Sequence, residues 1–429
     1  MFYWKRGPEP GRMGASITIM SILSDRLSEE ILQARQRVYT VGEPTPLQRL
    51  NLPGIKAPVY AKREDLGPIR AYKWRGAFNC MAALSQEARD KGIVAASAGN
   101  HAQGVALAAS VLNCHATIFM PRSTPEVKQT EVRRHGGRHV KIMLHGDCYD
   151  ETAAAAHEYA ETHGSTFVHP YDDLVTMAGQ GTLADEVVMS GEGPFDRAYV
   201  AIGGGGLATG VSTLAKLLNP KIKVIGVEPA NANCMQESIK NGKVTTLPSV
   251  NTIADGTAVK TPGTKIFPYI QKNLDDIITV EDAELVGAFL DMVENHKLIV
   301  ENSGLLTVAA LKHLDLKSKK VVSILSGGNM DVITMASIVQ HGLIQRDRVF
   351  TVSVLLPDKP GELAKVATLM AEEQGNVIKL EHNQFVTTNR TAAVELRITL
   401  ECFGPEHKQQ IINALEKEGY KPKQVRTSL

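Results

Sequence analysis

The chain has 429 residues, of which 43% are hydrophobic and 22% charged, and its formal net charge is +1. This length allows two or three domains with full cores, and the composition is that of a soluble globular protein. The balanced charge gives no electrostatic basis for binding nucleic acid or an acidic membrane surface. No apolar run reaches the roughly 18 residues of a membrane-spanning helix. The five scattered cysteines are expected to be reduced thiols in the cytoplasm.

The N-terminal segment mixes charged residues, prolines and apolar residues, so residues 1–20 are expected to form a disordered extension. Met13 and Met20 are alternative translation starts within it. A helix is predicted over residues 28–39, because Ser28 can cap it and acidic residues occupy its first turn. Prolines at positions 44 and 46 stop this helix, and a short strand is predicted over residues 58–62.

From residue 92 onward, apolar runs alternate with helical patterns. The predicted strands are 92–96, 116–120, 140–144, 197–202, 223–228 and 320–325, and the predicted helices are 104–112, 125–135, 149–163, 207–218, 283–297 and 304–313. Strands and helices that alternate in this way predict an α/β fold, in which helices cross over between parallel strands.

The composition changes near residue 345, and apolar residues then alternate with other residues over 350–356, as in a strand with one apolar face. A tight loop at 357–361 follows, and the later predicted elements are a helix at 362–373, strands at 377–385 and 394–400, a helix at 406–418 and a strand at 423–427. This β-α-β-β-α-β order predicts a separate ferredoxin-like domain over residues 348–429.

Four short motifs carry the candidate chemistry. They are Arg70-Ala71-Tyr72-Lys73-Trp74-Arg75-Gly76, Ser97-Ala98-Gly99-Asn100-His101, Gly203-Gly204-Gly205-Gly206-Leu207 and Ser326-Gly327-Gly328-Asn329. A shielded lysine can form a Schiff base. The glycine run follows a predicted strand and opens a predicted helix, where bare backbone amides can bind a phosphate.

The glycine run also permits a different interpretation. It satisfies the pattern G-x-G-x-x-A, which ends at Ala208, and Glu228 ends the next predicted strand, where a ribose-binding acid would lie. An NAD-type oxidoreductase is therefore an alternative. That pattern does not explain Lys73, Asn100 or Ser326, whereas pyridoxal 5'-phosphate requires a lysine, a phosphate loop and a partner for its ring nitrogen.

The four motifs in this order resemble the fold type II pyridoxal-phosphate enzymes, and among them the threonine dehydratase (threonine ammonia-lyase) family, over roughly residues 25–340. The resemblance implies a catalytic domain over residues 21–340 with two parallel-sheet subdomains, the smaller at about 61–160. It implies that Lys73 is the Schiff-base lysine and Tyr72 the aromatic residue beside the ring. The implied ligands are Asn100 for the 3'-oxygen, Ser326 for the ring nitrogen, Gly203, Gly204, Gly205, Gly206 and Leu207 for the phosphate, and Ser97, Gly99, Asn100 and His101 for the substrate carboxylate.

The activity implied by the resemblance is the conversion of L-threonine to 2-oxobutanoate and ammonia, the first step of isoleucine biosynthesis, with L-serine as a secondary substrate. A catabolic role stays open from these residues. Serine racemase and other fold type II enzymes are alternatives, but relatives that racemise serine have a serine where this chain has Ala98. Some relatives bind a divalent cation through a glutamate and an acid six residues later. Here Glu228 is followed by Cys234, so no metal is expected.

Two further departures concern rigidity and pocket shape. Glu301-Asn302-Ser303-Gly304 replaces the usual Glu-Pro-Ala/Ser-Gly, and Ala71 and Trp74 replace a serine and a branched aliphatic residue. The C-terminal domain resembles amino-acid-binding ACT domains, and the resemblance implies isoleucine and valine as allosteric effectors. A purely structural dimerisation domain is the alternative. A homo-oligomer, either dimer or tetramer, is expected.

Overall fold

Two parallel sheets form the N-terminal part of the protein and an antiparallel sheet forms the C-terminal part. The computed structural model describes residues 13–313, 319–384 and 394–427, with side chains from residue 26 onward. The chain divides into two compact units at Met330 and Asp331. The helix that precedes the antiparallel sheet therefore groups with the second unit, whereas the sequence placed residues up to 340 in the catalytic domain.

The first unit begins with a long helix and then alternates strands and helices. Its elements are α1 (Met13–Val38), β1 (Leu47–Leu50), β2 (Val59–Arg63), α2 (Lys73–Ala83), α3 (Gln86–Asp90), β3 (Ile93–Ala96), α4 (Asn100–Val111), β4 (Ala116–Met120), α5 (Glu126–Gly136), β5 (Val140–Leu144), α6 (Tyr149–His163), β6 (Thr166–Phe167), α7 (Leu174–Met189), β7 (Arg197–Ala201), α8 (Gly206–Leu218), β8 (Lys223–Pro229), α9 (Cys234–Asn241), α10 (Phe267–Asn273), β9 (Asp276–Val280), α11 (Asp282–His296), α12 (Asn302–Ala309) and β10 (Val321–Leu325).

Six strands of this unit form the larger sheet, in the order β1-β2-β10-β7-β8-β9. All neighbours in it are parallel except β1 and β2. The smaller sheet is fully parallel, in the order β5-β4-β3-β6. The sequence predicted that the smaller subdomain begins at about residue 61. This boundary is wrong, because β2 belongs to the larger sheet. The pairing of β2 with β10 at the centre of the larger sheet fixes this boundary.

Each sheet has its own hydrophobic core. Helices α1, α7 and α8 supply Ile31, Leu183 and Val211 to the core of the larger sheet, with Val200 from β7. Helices α2 and α4 cover the smaller sheet, where Trp74 is fully buried. The indole of Trp74 fits because two neighbours are glycines: a Cβ at Gly42 would lie 2.2 Å from its ring.

The start of the first helix differs from the sequence prediction. Helix α1 begins at Met13 rather than near residue 28, so residues 13–20 are helical and do not belong to a disordered extension. Residues 1–12 of that predicted extension lie outside the described residues. The prediction relied on Ser28 as an N-cap, but in the structure this residue lies inside the helix.

The second unit contains α13 (Val332–Gln345), β11 (Val349–Leu356), α14 (Glu362–Glu372), β12 (Asn376–Asn383), β13 (Val394–Glu401), α15 (Pro405–Lys417) and β14 (Lys423–Val425). Its antiparallel sheet has the order β12-β13-β11-β14, which is ferredoxin-like. The apolar face of β11 packs with α14 and α15 through Val352, Val366 and Ile411. The predicted β-α-β-β-α-β order of this region is present, although part of the predicted strand 377–385 lies outside the described residues.

Candidate active site

Lys73 is the first residue of α2, and the main chain beside it is tied to the loop after β10. The Tyr72 amide donates to the Ser326 carbonyl at 3.0 Å, and Ala71 forms an isolated antiparallel bridge with Gly327. The Lys73 Nζ donates to the Pro170 carbonyl at 2.7 Å and lies 5.5 Å from the centroid of the Tyr72 ring. Two motifs far apart in the sequence are therefore held together by backbone contacts.

The electrostatic environment of Lys73 favours a neutral amine. Burial lowers the pKa of Lys73 to about 8, although the nearby Glu301 carboxyl opposes this shift. A lysine with this pKa is partly unprotonated near neutral pH, and only the unprotonated amine can act as a nucleophile or a base. The site therefore contains an amine prepared for covalent chemistry or proton transfer.

The glycine run connects β7 to α8 and forms an anion site. Gly205 has φ +101°, which a residue with a side chain rarely adopts, and α8 begins at the next residue. A Cβ at Gly204 would lie 2.4 Å from the ring of Tyr171, so only glycine allows this approach. Among the residues that the structure describes, none accepts a hydrogen bond from the amides of residues 203–206. Free amides at a helix N-terminus are suited to binding a phosphate.

Loop 97–101 connects β3 to α4, and its last two residues, Asn100 and His101, form the start of α4. The Ser97 hydroxyl accepts a hydrogen bond from the Gly99 amide at 3.2 Å. His101 is buried, and its Nε2 lies 2.9 Å from the Val168 carbonyl, which can only accept. Nε2 therefore carries the proton, and burial lowers the pKa of His101 to about 3. A neutral imidazole with Nδ1 unprotonated cannot donate to a carboxylate. The amides of Ser97 and Gly99 already donate to the Phe119 carbonyl and the Ser97 hydroxyl. The donors that this segment can offer an anion are therefore the Ser97 hydroxyl hydrogen and the amides of residues 98, 100 and 101.

Asn100 links this loop to the beginning of α12. Its Nδ2 donates to both carboxylate oxygens of Glu301, at 2.9 and 3.1 Å, and its Oδ1 accepts from Asn329 at 2.8 Å. Burial raises the pKa of Glu301 to about 7. Ser326 is buried at the end of β10, and its hydroxyl has no hydrogen-bond partner within the described ranges. This hydroxyl is therefore available to a ligand.

A single cavity of about 480 Å³ brings the predicted site residues together. Its lining includes Tyr72, Lys73, Ser97, Gly99, Asn100, His101, Gly203, Gly204, Gly205, Gly206, Leu207 and Ser326. The lining also contains residues that the sequence motifs did not single out for a role, among them Lys128, Tyr171, Asp255, Glu301 and Ser303. No local pattern marks Lys128 or Tyr171. Glu301 and Ser303 belong to the segment Glu301-Asn302-Ser303-Gly304, for which the sequence indicated only a change in rigidity.

Two ion pairs connect the smaller subdomain to the loop beyond β8 at this cavity. Lys128 on α5 lies 3.1 Å from Asp255, and Asp150 on α6 lies 3.8 Å from Lys260. All four side chains are at least 38% exposed, so each pair contributes only about 0–1 kcal/mol. The segment around Asp255 thus lines the cavity.

Glu228 does not have the surroundings of a ribose-binding acid. It is fully buried at the end of β8, and its two oxygens accept hydrogen bonds from the amides of Met235 and Gln236 on α9, at 2.9 and 2.8 Å. It therefore caps a helix and does not line the cavity. In the described part of the chain, no three His, Cys, Asp or Glu side chains are grouped so as to hold a metal ion.

A family model described as "pyridoxal-phosphate dependent enzyme" matches residues 38–327 of the chain. The chain belongs to this family of pyridoxal-phosphate-dependent enzymes. Its relatives within the family include an L-threonine ammonia-lyase of Geobacter sulfurreducens, 41% identical over 85% of this chain and 90% of the relative. An L-threonine ammonia-lyase of Thermotoga maritima is 39% identical over 84% of this chain and 90% of the relative. These matches confirm the predicted family and exclude the oxidoreductase alternative.

Solved structures give the same assignment of the fold. The processed form of threonine deaminase isoform 2 from Solanum lycopersicum is 35% identical with a TM-score of 0.69, and the match covers 74% of this chain and 88% of that chain. Maize serine racemase is 32% identical with a TM-score of 0.67, and the match covers 74% of this chain and 98% of that chain. The predicted fold type II architecture is confirmed.

The cavity suits the cofactor of this family. Its lining provides a partly neutral lysine amine, free amides at a helix N-terminus for a phosphate group, and the Ser326 hydroxyl, which no described residue engages. The ring of Tyr171 lies against Gly204, and only a residue without a side chain fits at this position. These features match the chemical groups of pyridoxal 5'-phosphate: an aldehyde, a phosphate and a pyridine nitrogen.

Proposed function

We propose that the chain is a threonine ammonia-lyase, which converts L-threonine to 2-oxobutanoate and ammonia. The observation that carries this proposal is the match to two L-threonine ammonia-lyases over more than four-fifths of the chain, with the lysine, glycine loop and Ser326 in one cavity. A relative from Pasteurella multocida, 38% identical over 90% of this chain, is named a biosynthetic L-threonine dehydratase. We therefore assign the reaction to the start of isoleucine biosynthesis.

The residues of the cavity have distinct roles in this proposal. The amides of residues 203–207 would hold the cofactor phosphate, and Ser326 would be the partner of the ring nitrogen. Tyr72 would be the aromatic residue beside the ring, and Asn100 would donate to the 3'-oxygen. When bound, pyridoxal phosphate withdraws electrons from Cα of the amino acid. Lys73 Nζ holds the cofactor and then removes the Cα proton of the substrate, a general-base step for which its lowered pKa is suited.

In this proposal the substrate carboxylate is bound by the Ser97 hydroxyl and by the amides of residues 98, 100 and 101, because the amides of Ser97 and Gly99 are already engaged. Ser97, Gly99, Asn100 and His101 line the cavity, and α4 directs its N-terminal amides toward it. His101 contributes through its main chain, because its side chain is committed to Val168. Loss of the β-hydroxyl and hydrolysis of the resulting enamine then yield 2-oxobutanoate and ammonia.

Elimination is favoured over racemisation by the side chain at position 98. Racemisation requires an acid or base on each face of Cα. Ala98 lines the cavity and has no proton to give, although the scaffold is shared with maize serine racemase. Elimination from L-serine, which would yield pyruvate, is expected to be a slower secondary reaction.

The experiment measures three products after the purified protein has been loaded with pyridoxal phosphate. We expect 2-oxobutanoate from L-threonine, slower formation of pyruvate from L-serine, and little D-serine. Coupled assays with lactate dehydrogenase detect the oxoacids, and chiral chromatography detects D-serine. Rapid formation of D-serine without oxoacid would favour the racemase alternative, and failure to bind the cofactor would exclude the proposal.

We propose in addition that the second unit is an ACT-like sensor of isoleucine, with valine as an opposing effector. The match to the Geobacter enzyme spans 366 residues, more than the 330 residues of the first unit, so that relative shares part of the second unit. The edge strand β12 has all eight residues exposed, including Val377, Ile378 and Leu380. An exposed apolar edge supports pairing with a second copy of the chain in a dimer or tetramer, with effector sites at the interface.

Isoleucine is expected to lower threonine turnover of the intact protein, with a coupling free energy of about 1–3 kcal/mol between effector and substrate. A chain that ends at Met330 retains both cores of the first unit, so it should keep cofactor binding and lose this inhibition. The assay is turnover against isoleucine concentration, with and without valine. An intact enzyme indifferent to both amino acids would indicate that the second unit only joins subunits.

Among the described residues, no helix is long and apolar enough to cross a membrane. The five cysteines are free thiols in the structure. We propose a cytoplasmic location, as expected from the number and scatter of the cysteines in the sequence. No divalent cation is proposed near Glu228, because that carboxylate is engaged by the amides of α9.

A further inference from the structure

Both ends of the Asn100 side-chain amide are occupied by protein groups. At one end, Nδ2 lies 2.9 and 3.1 Å from the two carboxylate oxygens of Glu301. At the other end, Oδ1 lies 2.8 Å from the Nδ2 atom of Asn329. These three side chains come from the start of α4, the residue before α12 and the loop after β10.

The hydrogen-bond network allows one orientation of this amide. Asn329 Nδ2 also lies 2.8 Å from the Ile69 carbonyl, which can only accept a hydrogen bond. The atom of the Asn329 amide that lies between Ile69 and Asn100 must therefore be its nitrogen. Asn100 must then present its oxygen to Asn329 and its nitrogen to Glu301, whose ionised carboxylate only accepts. A rotation of the Asn100 amide by 180° would bring two donors together at one end and two acceptors together at the other.

The carboxylate that completes this network is itself fixed by packing. The Glu301 amide donates to the Gly327 carbonyl at 3.0 Å, and Glu301 is only 8% exposed. A Cβ at Gly327 would lie 2.4 Å from Glu301 Oε1, so the glycine at this position is what allows the carboxylate to approach. Gly327, the first glycine of the Ser326-Gly327-Gly328-Asn329 motif, therefore supports the position of Glu301.

We propose that Glu301 and Asn329 are positioning residues for the reaction: together they hold the Asn100 amide in one orientation, with its second Nδ2 hydrogen left free for a ligand in the cavity. This inference rests on the proposed function, in which that ligand is the 3'-oxygen of the cofactor. Because one hydrogen of Nδ2 is shared between the two Glu301 oxygens, the other is the only hydrogen of this amide that remains for the cofactor.

The charge of Glu301 changes near neutral pH. Burial, aided by the Asp255 charge, raises its pKa to about 7, although the hydrogen bonds from Asn100 and the Asn329 amide and the charge of Lys128 oppose this shift. Lys73 and Tyr72 also face this carboxyl, since its charge raises the pKa of both. Below this pH the protonated carboxyl becomes a donor at one oxygen, and its hold on Asn100 weakens. The environment of the bound cofactor is therefore expected to depend on pH through Glu301.

The test uses the full-length apoprotein and its Glu301→Gln, Asn100→Ala and doubly substituted forms. Pyridoxal phosphate is titrated into each form to obtain Kd, and the absorbance of the bound cofactor is followed between about pH 5.5 and 9, the range in which a carboxyl with this raised pKa titrates. We expect a spectral midpoint near pH 7 in the unsubstituted protein. Glu301→Gln should remove this midpoint and weaken cofactor binding about tenfold, as expected for one disrupted buried hydrogen bond to a charged group.

The doubly substituted form shows whether Glu301 acts through Asn100. In the Asn100→Ala background, Glu301→Gln should change Kd by less than about twofold, because the coupled group is already absent. The matched control is Glu228→Gln, a buried carboxyl whose pKa burial raises to about 8 but which lies outside the cavity. This control should leave the spectral midpoint unchanged.

Each outcome supports or overturns the proposal. An unchanged midpoint in Glu301→Gln, or an equal effect with and without Asn100, would overturn it. If Glu301→Gln does not fold, Asn329→Ala decides, because it removes the partner at the other end of the Asn100 amide. This substitution should weaken cofactor binding when Asn100 is present and should have no effect in the Asn100→Ala background. Failure of the unsubstituted protein to bind pyridoxal phosphate would instead overturn the proposed function.

Discussion

Replacing Lys73 with arginine is expected to lower the turnover of L-threonine by about 10³-fold or more, even though the positive charge is kept. An arginine side chain stays protonated at every accessible pH, so it can neither hold the cofactor covalently nor accept the Cα proton. The Lys73 amine can do both because burial lowers its pKa to about 8. The measurement is kcat for 2-oxobutanoate formation, with circular dichroism as a check on folding.

Lys128→Arg is the matched control, because Lys128 lines the same cavity and pairs with Asp255. Arginine can keep that exposed ion pair, so turnover should stay within about tenfold of the unsubstituted protein. The rate at which the apoprotein takes up pyridoxal phosphate should rise with pH and level off above about 8, as the Lys73 amine loses its proton. If Lys73→Arg retains a tenth of the turnover, Lys73 is not the base.

Replacing Arg75 with methionine is expected to reduce the free energy of unfolding of the first unit by about 3–5 kcal/mol, because it leaves a buried carboxylate without its cation. Arg75 donates from Nε to Glu64 at 2.8 Å and from Nη1 to Glu186, and Lys62 also pairs with Glu186. All four side chains are at most 3% exposed. Two cations thus balance two carboxylates in the interior, and methionine preserves the packing volume while removing one cation.

The matched control is Arg35→Met, since Arg35 pairs with Asp185, the residue next to Glu186 on α7. The Arg35 side chain is 41% exposed, so the loss there should be about 1 kcal/mol or less. Differential scanning fluorimetry and urea unfolding would compare the two variants. Equal destabilisation by both substitutions would show that the buried cluster contributes no more than a surface pair.

The effect of Arg75→Met should depend on pH in a definite direction. Arg75 and Lys62 lower the pKa of Glu186, although burial opposes them. A carboxyl with a lowered pKa in the folded state contributes stability above its unfolded pKa and loses it as the pH falls through the folded value. The difference between the variant and the unsubstituted protein should therefore be largest near neutral pH and should shrink in acid, where the remaining carboxylates take up protons.

The residues that the sequence predicted for the site line one cavity, and they could be found because their signals are local. Their individual roles stay predictions. Each motif combines a strand end with a loop whose backbone requirements are visible in its residues, such as the glycines at 203–206 before α8. For Glu301, the sequence indicated only that its segment departs from the usual rigid pattern. Its partner Asn100 is 201 positions away, and no periodicity or spacing links two such residues.

Three elements that the sequence did not predict, α7, β9 and β1, lack a clear signal for different physical reasons. Helix α7 is buried on nearly every side from Thr176 to Val187, so it has no polar face and no 3.6-residue period that would reveal it. Strand β9 is only half buried and begins at Asp276, directly after Asp275, and two successive aspartates do not indicate a strand. Strand β1 has four residues and gains its place from its antiparallel partner β2.

The active-site loops follow the carboxyl ends of β3, β7 and β10, whose residues are almost entirely buried. Selection on the core and selection on the reaction therefore act on different residues of the same chain. Substitutions at loop positions such as Ala98 can therefore change the groups that line the cavity without changing the buried strands. This chain is similar to a threonine deaminase and to a serine racemase to nearly the same extent, at 35% and 32% identity. Such similarity is expected when the core is retained and the residues that decide the reaction lie in the loops.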